Sequence, residues 1–253
     1  MRIQSKSIAS PLRRGAADRL AHIDAVLEAA YGTPEADLGN KPDPLDEAIY
    51  IILSFQTDLA RCFSTWSQLR TAFPTWDVVE RARKRDIARA LRAGGLHWQK
   101  TRTIRHLLSE VRCATGELSL DHLRTMNDED AERQLIRLPG LSWKGARCVL
   151  LYSLGRNVLP IDGNTFRILK RAGVLPRDAV YRRRTVHDAI QAAVPPMRRR
   201  ALHVNFVVHG QRTCRPRNPE CSRCPLLVDC PRVGLPARSR GTPARPRELT
   251  PQS

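Results

Sequence analysis

No apolar run in the sequence reaches the length of a membrane-spanning helix, and the first twenty or so residues contain no apolar core of a secretory signal. We therefore expect a cytoplasmic protein. Strand-like alternation of apolar and polar residues is nearly absent, which argues against a β-sheet fold. Acidic residues are few, 25 against 43 basic ones, which leaves a formal net charge of +18. This excess favours a polyanionic partner, nucleic acid before an anionic membrane, although a basic surface can also serve solubility alone.

The seven cysteines are unevenly placed. We expect the three isolated ones, Cys62, Cys113 and Cys148, to be buried thiols. The other four fall within 17 residues in the pattern C-x6-C-x2-C-x5-C, at Cys214, Cys221, Cys224 and Cys230. In a reducing compartment such spacing predicts a bound metal or cluster. Zinc sites more often have two C-x2-C pairs, and a single flanked pair suits an iron–sulfur cluster at least as well, so spacing alone leaves the metal open.

Helical patterns follow one another along the chain, which predicts an all-α fold with short connections. The stretch DPLDEAIYIILSFQ has Asp43 as a candidate N-cap and Pro44 in the first helical position, and it is apolar on nearly all sides. We expect this helix in the centre of a core. Residues 233–253 are rich in Pro and Arg and predict a disordered basic tail. Further helices are predicted near 62–73, 76–92, 100–115, 118–124, 128–137, 143–155, 163–171, 183–193 and 197–211.

The stretch LPGLSWKGARCVL, residues 138–150, predicts a tight turn between two helices. Asn127 can cap the first helix, Pro139 and Gly140 end it, and a second helix begins near Trp143. Main-chain N–H groups in such a turn can bind a phosphate without reading base sequence. A plain helical hairpin with no ligand is the alternative.

The same stretch places Lys144 in the first turn of the second helix. The positive end of the helix dipole disfavours the ammonium form there, whereas nearby phosphates would favour it. A neutral amine can attack an electrophilic carbon and form a Schiff base, with a carboxylate to stabilise positive charge and move protons. Asp162, in VLPIDGNTFRILKR, is the candidate carboxylate. The alternatives are a solvated surface charge for Lys144 and an ordinary helix N-cap for Asp162.

Three segments in this order, LPGLSWKGA, VLPIDGNTFRI and HGQRTCRPRNPECSRCPLLVDC, resemble the endonuclease III branch of the helix-hairpin-helix DNA glycosylases. The resemblance runs from about Asp43 to Cys230. It implies a two-lobed all-α fold with DNA in the cleft: a six-helix barrel domain at 42–160, with the helix-hairpin-helix at about 128–155, and a discontinuous cluster domain at 15–41 and 161–232.

The resemblance also implies roles for individual residues. Lys144 would be the Schiff-base nucleophile at the sugar C1′ and Asp162 the assisting carboxylate. The hairpin backbone around Gly140 and Ser142 would bind phosphate. The four clustered cysteines would hold a [4Fe–4S] cluster.

Two further positions are similar to the family pattern. Gln56, in IILSFQTD, matches the glutamine that fills the space left by a flipped base, and Leu96, in GGLHWQK, matches the wedge residue. A polar helix C-cap for Gln56 and a core leucine for Leu96 are the alternatives.

The chain departs from the family pattern at two places. Ser142 stands where a second hairpin glycine is usual, and a left-handed backbone there would cost serine about 1 kcal/mol. The usual Asp-Thr-His or Asp-Thr-Asn is here Asp162-Gly163-Asn164. These changes keep the lysine and the aspartate but leave the substrate open.

The implied function is a bifunctional DNA glycosylase and AP lyase of base excision repair. It would remove a damaged base, for which an oxidised pyrimidine is the leading candidate. It would act as a monomer on double-stranded DNA, in the cytoplasm and associated with the nucleoid. The alternatives are a non-catalytic or AP-lyase-only protein that binds DNA structures, a glycosylase for another lesion, and a zinc-stabilised nucleic-acid module.

Overall fold

The computed structural model describes residues 11–33 and 38–236, and over these residues it is helical without any β-strand. This confirms the all-α class. None of the helices in those ranges is long and apolar enough to cross a membrane. The predicted basic tail lies, from residue 237 onward, outside the described residues. The α-helices are α1 (Ala16–Tyr31), α2 (Pro44–Ser54), α3 (Leu59–Ala72), α4 (Trp76–Arg81), α5 (Lys84–Ala90), α6 (His97–Thr115), α7 (Asp128–Arg137), α8 (Trp143–Cys148), α9 (Gly163–Arg171), α10 (Arg184–Ala192) and α11 (Arg199–Arg212).

Helix starts follow the sequence signals closely. The Asp43 carboxylate accepts a hydrogen bond from the Asp46 N–H at 2.8 Å, and Pro44 occupies the first helical position of α2. The Asn127 side chain caps α7 in the same way, accepting from the Asp130 N–H at 2.9 Å. These side chains satisfy N–H groups that a helix start leaves without partners, so both caps are confirmed.

The helix predicted over 76–92 is wrong in its middle. The chain leaves the helical conformation at Ala82, where ψ is 153°, and α5 begins only at Lys84. The Ala82 carbonyl accepts instead from Arg105 Nη1, on α6, at 2.6 Å. A tertiary hydrogen bond thus replaces the helical one, and the local periodicity of the sequence does not predict this contact. The helix predicted over 143–155 also changes, because α8 widens into a π-helical turn at Val149–Ser153.

Two groups of buried hydrophobic side chains form separate cores. The first draws on residues between Leu45 and Val158. The second combines the buried face of α1 with residues from Leu159 to Leu226. The chain therefore passes from one core to the other between Val158 and Leu159. A core does not by itself define an independent folding unit, so the division into domains 42–160 and 15–41 with 161–232 stays a prediction.

Helix α2 lies at the centre of the first core, as its apolar pattern predicts. It contacts α3, α6 and α8, and Ala48, Ile49 and Leu53 are completely buried. Because α2 ends at Ser54, the chain emerges from the core at Phe55, beside the hairpin formed by α7 and α8. The buried helix thus sets the position of residues 55–57 relative to the hairpin.

An ion-pair network centred on the buried Arg147 joins the hairpin to the second core. Arg147 of α8 is 1% exposed and donates to Glu132 of α7 at 2.6 Å and to Asp188 of α10. Arg184 also donates to Asp188, at 3.1 Å. Removing one member of a buried network leaves an uncompensated charge, which strongly destabilises a protein. The network therefore fixes the hairpin against α10.

Candidate active site

The turn between α7 and α8 depends on a glycine. Gly140 has φ of 84°, and a Cβ atom at this position would collide with the methyl group of Thr103 and lie 3.0 Å from Ile52 Cγ1. Ser142 has φ of −117°, an extended conformation that serine adopts freely, so the strain considered for a left-handed backbone does not arise. The backbone N–H groups of Gly140 and Ser142 have no acceptor among the described residues, and both residues are exposed. Two main-chain donors therefore face solvent at the hairpin.

Lys144 and Asp162 border one groove, together with the hairpin residues Gly140 and Ser142 and with Gln56. Five of the predicted site residues are thus brought together from segments far apart in the chain. Leu96 borders an adjoining groove, which shares Gly140 with the first. The four cysteines lie elsewhere, around a small cavity beside the second core.

Asp162 is an N-cap and a site residue at the same time. Its Oδ1 accepts from the Thr165 N–H at 2.7 Å at the start of α9, and its Oδ2 accepts from Asn164 Nδ2 at 2.8 Å. Burial acts to raise the pKa of Asp162, but His203, the Thr165 N–H and the Lys144 ammonium together bring it below its ordinary value. The carboxylate is therefore ionised at neutral pH and held in one orientation by α9.

Lys144, half-buried on α8, is held in its charged form. The Cys148 thiol one turn along the helix, together with the carboxylates of Asp162 and Glu47, raises the pKa of Lys144, while burial works in the opposite direction. Burial also raises the pKa of Cys148 to about 11, so this sulfur acts on the pKa of Lys144 only at alkaline pH, where it is ionised. The pKa of Lys144 is therefore raised in the free protein, whereas the helix dipole alone would lower it.

Glu47 is the acidic residue that the sequence interpretation missed. It is completely buried within α2, where its carboxylate accepts from Asn40 Nδ2 and from the Lys41 N–H, both at 2.6 Å. Burial raises its pKa, against these hydrogen bonds and the field of Lys144. A sequence signal existed: an acid sits inside a helix that is apolar on nearly all sides, and a buried acid needs a partner.

Lys144 and Asp162 also border a second cavity, of about 210 Å³. Tyr152 and His203 contribute polar groups to its wall. Burial raises the pKa of Tyr152 and lowers that of His203 to about 4, so both side chains are neutral at physiological pH. The Tyr152 hydroxyl has no hydrogen-bond partner among the described residues. The cavity therefore offers neutral polar groups beside a charged pair.

Gln56 and Leu96 share an unusual backbone conformation. Both are exposed residues with positive φ, 51° and 47°. Leu96 is 42% exposed, so it is not the core leucine of the alternative interpretation. Non-glycine residues in the left-handed region are uncommon and persist only where the surrounding structure holds them. Both residues are thus presented to solvent at a conformational cost.

The buried Lys100 ammonium holds these two segments together. Its Nζ donates to the Leu53 carbonyl at 2.8 Å, the Thr57 hydroxyl at 2.6 Å and the Gly94 carbonyl at 2.8 Å. Thr57 Oγ1 also reaches the Gly94 carbonyl at 2.7 Å. The turn after α2 and the turn before α6 are therefore clamped to one amine, and burial lowers its pKa.

The four clustered cysteines line one small cavity beside the second core, next to His209. All four are free thiols, and burial raises the pKa of Cys224 to about 11. Within the described ranges, no set of three or more His, Cys, Asp or Glu side chains converges as a single metal ion would require. Among the isolated cysteines, Cys62 and Cys148 are buried as expected. Cys113 is exposed, because it lies on the solvent face of α6, whose buried face includes Leu108 and Val111.

No profile of a known protein family matches the sequence. Individual relatives do. The chain is 29% identical over 202 residues to a candidate DNA glycosylase of Arabidopsis thaliana, covering 76% of this chain and 66% of that one. It is 26% identical over 204 residues to endonuclease III of Rickettsia conorii, covering 76% and 90%. It is 23% identical over 190 residues to the Arabidopsis DNA glycosylase/AP lyase ROS1, covering 66% and 14%. The match thus spans less than two thirds of either Arabidopsis protein.

Solved structures share the fold. A trapped covalent intermediate of endonuclease III with DNA superposes with a TM-score of 0.74 at 20% identity, over 85% of this chain and 96% of that chain. A thermostable thymine-DNA glycosylase gives a TM-score of 0.72 at 17% identity, over 86% and 97%. The chain therefore has the endonuclease III fold and is related to the helix-hairpin-helix DNA glycosylases.

Proposed function

We propose that the protein is a bifunctional DNA glycosylase and AP lyase of base excision repair. One observation carries the proposal: Lys144 and Asp162 border the same groove as the free main-chain donors of the hairpin. An amine, a carboxylate and a phosphate-binding turn are the groups that an amine-dependent attack on a nucleotide sugar requires. The relatives named as a DNA glycosylase/AP lyase and an endonuclease III support the same activity.

In the first step the Lys144 amine attacks C1′ of the damaged nucleotide. The bond between C1′ and the base breaks, and the base leaves with the electron pair. Since Lys144 starts as an ammonium, we propose that its proton passes to the departing base, which frees the nitrogen lone pair for attack. The Asp162 carboxylate, ionised and fixed by α9, stabilises the positive charge that develops at C1′.

The second step is strand cleavage. A proton moves from the Lys144 nitrogen, now bonded to C1′, to O4′. The C1′–O4′ bond breaks, the sugar ring opens, and a protonated imine forms. This electron-withdrawing group acidifies C2′, so that loss of a C2′ proton to water expels the 3′ phosphate by breaking the C3′–O bond. Water then hydrolyses the imine and returns Lys144 as a free amine.

The surrounding groups would hold the DNA. The N–H groups of Gly140 and Ser142 would bind a phosphate without regard to sequence. Gln56 and Leu96, exposed at the groove rims, would occupy the space that the flipped nucleotide vacates. The net charge of +18 would add long-range attraction to the duplex.

We also propose that Cys214, Cys221, Cys224 and Cys230 hold a [4Fe–4S] cluster. Their shared cavity and the absence of a single convergence point within the described ranges fit a cluster, in which each cysteine binds its own iron, better than one zinc ion. Burial opposes ionisation of Cys224 and Cys230, so thiolates there need a bound cation. Such a cluster would hold the segment 214–230 in shape. The division into a barrel domain and a cluster domain belongs to the same proposal.

We propose an oxidised pyrimidine as the base that the protein removes. A panel of duplexes tests it: thymine glycol, mispaired thymine, 1,N6-ethenoadenine and a plain abasic site, each followed by single-turnover excision and strand cleavage. We expect excision of thymine glycol followed by cleavage. Excision of a different base would identify a glycosylase for that lesion, and cleavage of the abasic duplex alone an AP lyase. Salt-sensitive binding without cleavage of any duplex would replace the proposal with a DNA-structure binder.

A further inference from the structure

Phe55 is an exposed aromatic residue for which the proposed chemistry has no use. It directly follows α2, is 59% exposed, and borders both the groove that contains Lys144 and the adjoining groove that contains Leu96. The hairpin residue Gly140 borders both grooves as well. A large apolar side chain exposed next to a binding groove, and not scattered alone over the surface, indicates a contact surface.

The position of Phe55 is fixed on both sides. Gln56, its neighbour in the chain, has φ of 51°, and Leu96 across the groove has φ of 47°. The Lys100 ammonium ties the residues just before and after this turn, Leu53 and Thr57, to Gly94. The ring is therefore held on a rigid support, which lowers the entropy that a contact would cost.

The surroundings indicate which partner would cover the ring. The main-chain donors of Gly140 and Ser142 lie at the same place and have no acceptor among the described residues, and the protein carries an excess of 18 positive charges. A polyanion with flat apolar faces satisfies both features, and a nucleic acid is such a molecule. When a nucleotide leaves the stack, it exposes the faces of the neighbouring bases and leaves the opposite base without a partner.

We propose that Phe55 is a third void-filling residue, which stacks on the unpaired base opposite the flipped nucleotide while Gln56 and Leu96 occupy the gap itself. The inference rests on the proposed function, because it requires a flipped nucleotide. Phe55 makes no contact with the reacting atoms, so it acts on recognition of damaged DNA and not on the bond-breaking steps.

The test uses full-length protein and a duplex with a tetrahydrofuran abasic analogue opposite 2-aminopurine, beside an undamaged duplex. The variants are Phe55→Ala, Phe55→Tyr and, as an exposed apolar control remote from the groove, Val78→Ala, which is 44% exposed in the wild type. We expect Phe55→Ala to weaken binding of the analogue duplex by roughly fivefold or more and to relieve quenching of 2-aminopurine, since stacking is lost. Phe55→Tyr, which keeps the ring, and Val78→Ala should match the wild type on this duplex.

Two results would overturn the inference. One is wild-type affinity and quenching in Phe55→Ala. The other is an equal loss of affinity on damaged and undamaged duplexes, which would make Phe55 a general DNA contact. The analogue cannot form an imine, so neither result depends on Lys144. Failure of the proposed lyase would instead appear as wild-type protein that forms no covalent adduct with a true abasic site.

Discussion

Lys144 and Asp162 belong to helices that pack in different hydrophobic cores, yet they border one groove. Lys144 lies on α8, whose buried side chains join the first core, and Asp162 caps α9, which packs in the second. Asp162 raises the pKa of Lys144 and Lys144 lowers the pKa of Asp162, so each favours the charged form of the other. The candidate site therefore lies between the two hydrophobic cores, and its geometry depends on the contacts that hold the two cores together.

Replacing Glu47 with glutamine should lower the pKa of Lys144. The Glu47 carboxylate is one of the groups that raise this pKa, and the neutral amide keeps one acceptor oxygen, for either Asn40 Nδ2 or the Lys41 N–H. A raised amine pKa keeps Lys144 protonated at neutral pH, so the rate of imine formation rises with pH. In Glu47→Gln the rate profile should move to lower pH. Borohydride trapping of an abasic duplex at a series of pH values measures this shift, and an unchanged or alkaline-shifted profile would refute it.

Replacing Lys100 with methionine should destabilise the protein and weaken recognition of damaged DNA. Leu53, Thr57 and Gly94 each lose the hydrogen bond from Lys100, and only the Gly94 carbonyl keeps a second donor, the Thr57 hydroxyl. An unsatisfied buried group costs about 1–3 kcal/mol. Denaturant unfolding measures the loss of stability. Affinity for an abasic-analogue duplex measures recognition at a temperature where the variant is folded. If recognition is untouched, the clamp does not position Gln56 and Leu96.

Replacing Cys224 with serine should remove the proposed cluster. We expect a colourless or unstable protein, whereas the wild type should carry about four irons per chain and broad visible absorption. Cys113→Ser is the matched control, because this thiol is exposed on α6 and far from the cysteine cavity. Iron analysis and visible spectra of anaerobically purified proteins decide the matter. Zinc in a colourless wild type would contradict the cluster.

Stability should fall on acidification because of His203. Burial lowers its pKa from 6.5 to about 4, so between these values the unfolded chain binds a proton that the folded protein does not. The folded state therefore loses stability as pH falls through this range, by about 2 kcal/mol at about pH 5. The loss between pH values of about 7 and 5 should be smaller in His203→Gln than in the wild type. An equal loss in both proteins, measured by denaturant unfolding, would show that other groups control the effect.

The sequence predicted the parts of this structure that depend on local signals. Asp43, Asn127 and Asp162 each cap a helix. Their side-chain oxygens accept a hydrogen bond from the backbone N–H three residues ahead. Such contacts are short in sequence and visible as residue types. The spacing of hairpin, aspartate and cysteines likewise indicated the fold.

Local sequence signals could not predict the direction in which the pKa of Lys144 is shifted. Glu47 raises the pKa of Lys144 through space, from a helix nearly a hundred positions earlier, whereas the dipole argument considers α8 alone. The break at Ala82 has a similar origin, since Arg105 captures a carbonyl that local periodicity assigns to a helix. In both places a tertiary contact overrides a local preference.

The most direct test of the account is borohydride trapping with wild type, Lys144→Ala and Lys84→Ala on duplexes that carry one abasic site or one thymine glycol. Lys84 is the matched control, an exposed lysine in the first turn of another helix, α5. We expect a covalent protein–DNA adduct with wild type and Lys84→Ala on both duplexes and none with Lys144→Ala. An adduct that persists in Lys144→Ala, or a wild type that forms no adduct on the abasic duplex, would contradict the assignment of Lys144 as the nucleophile.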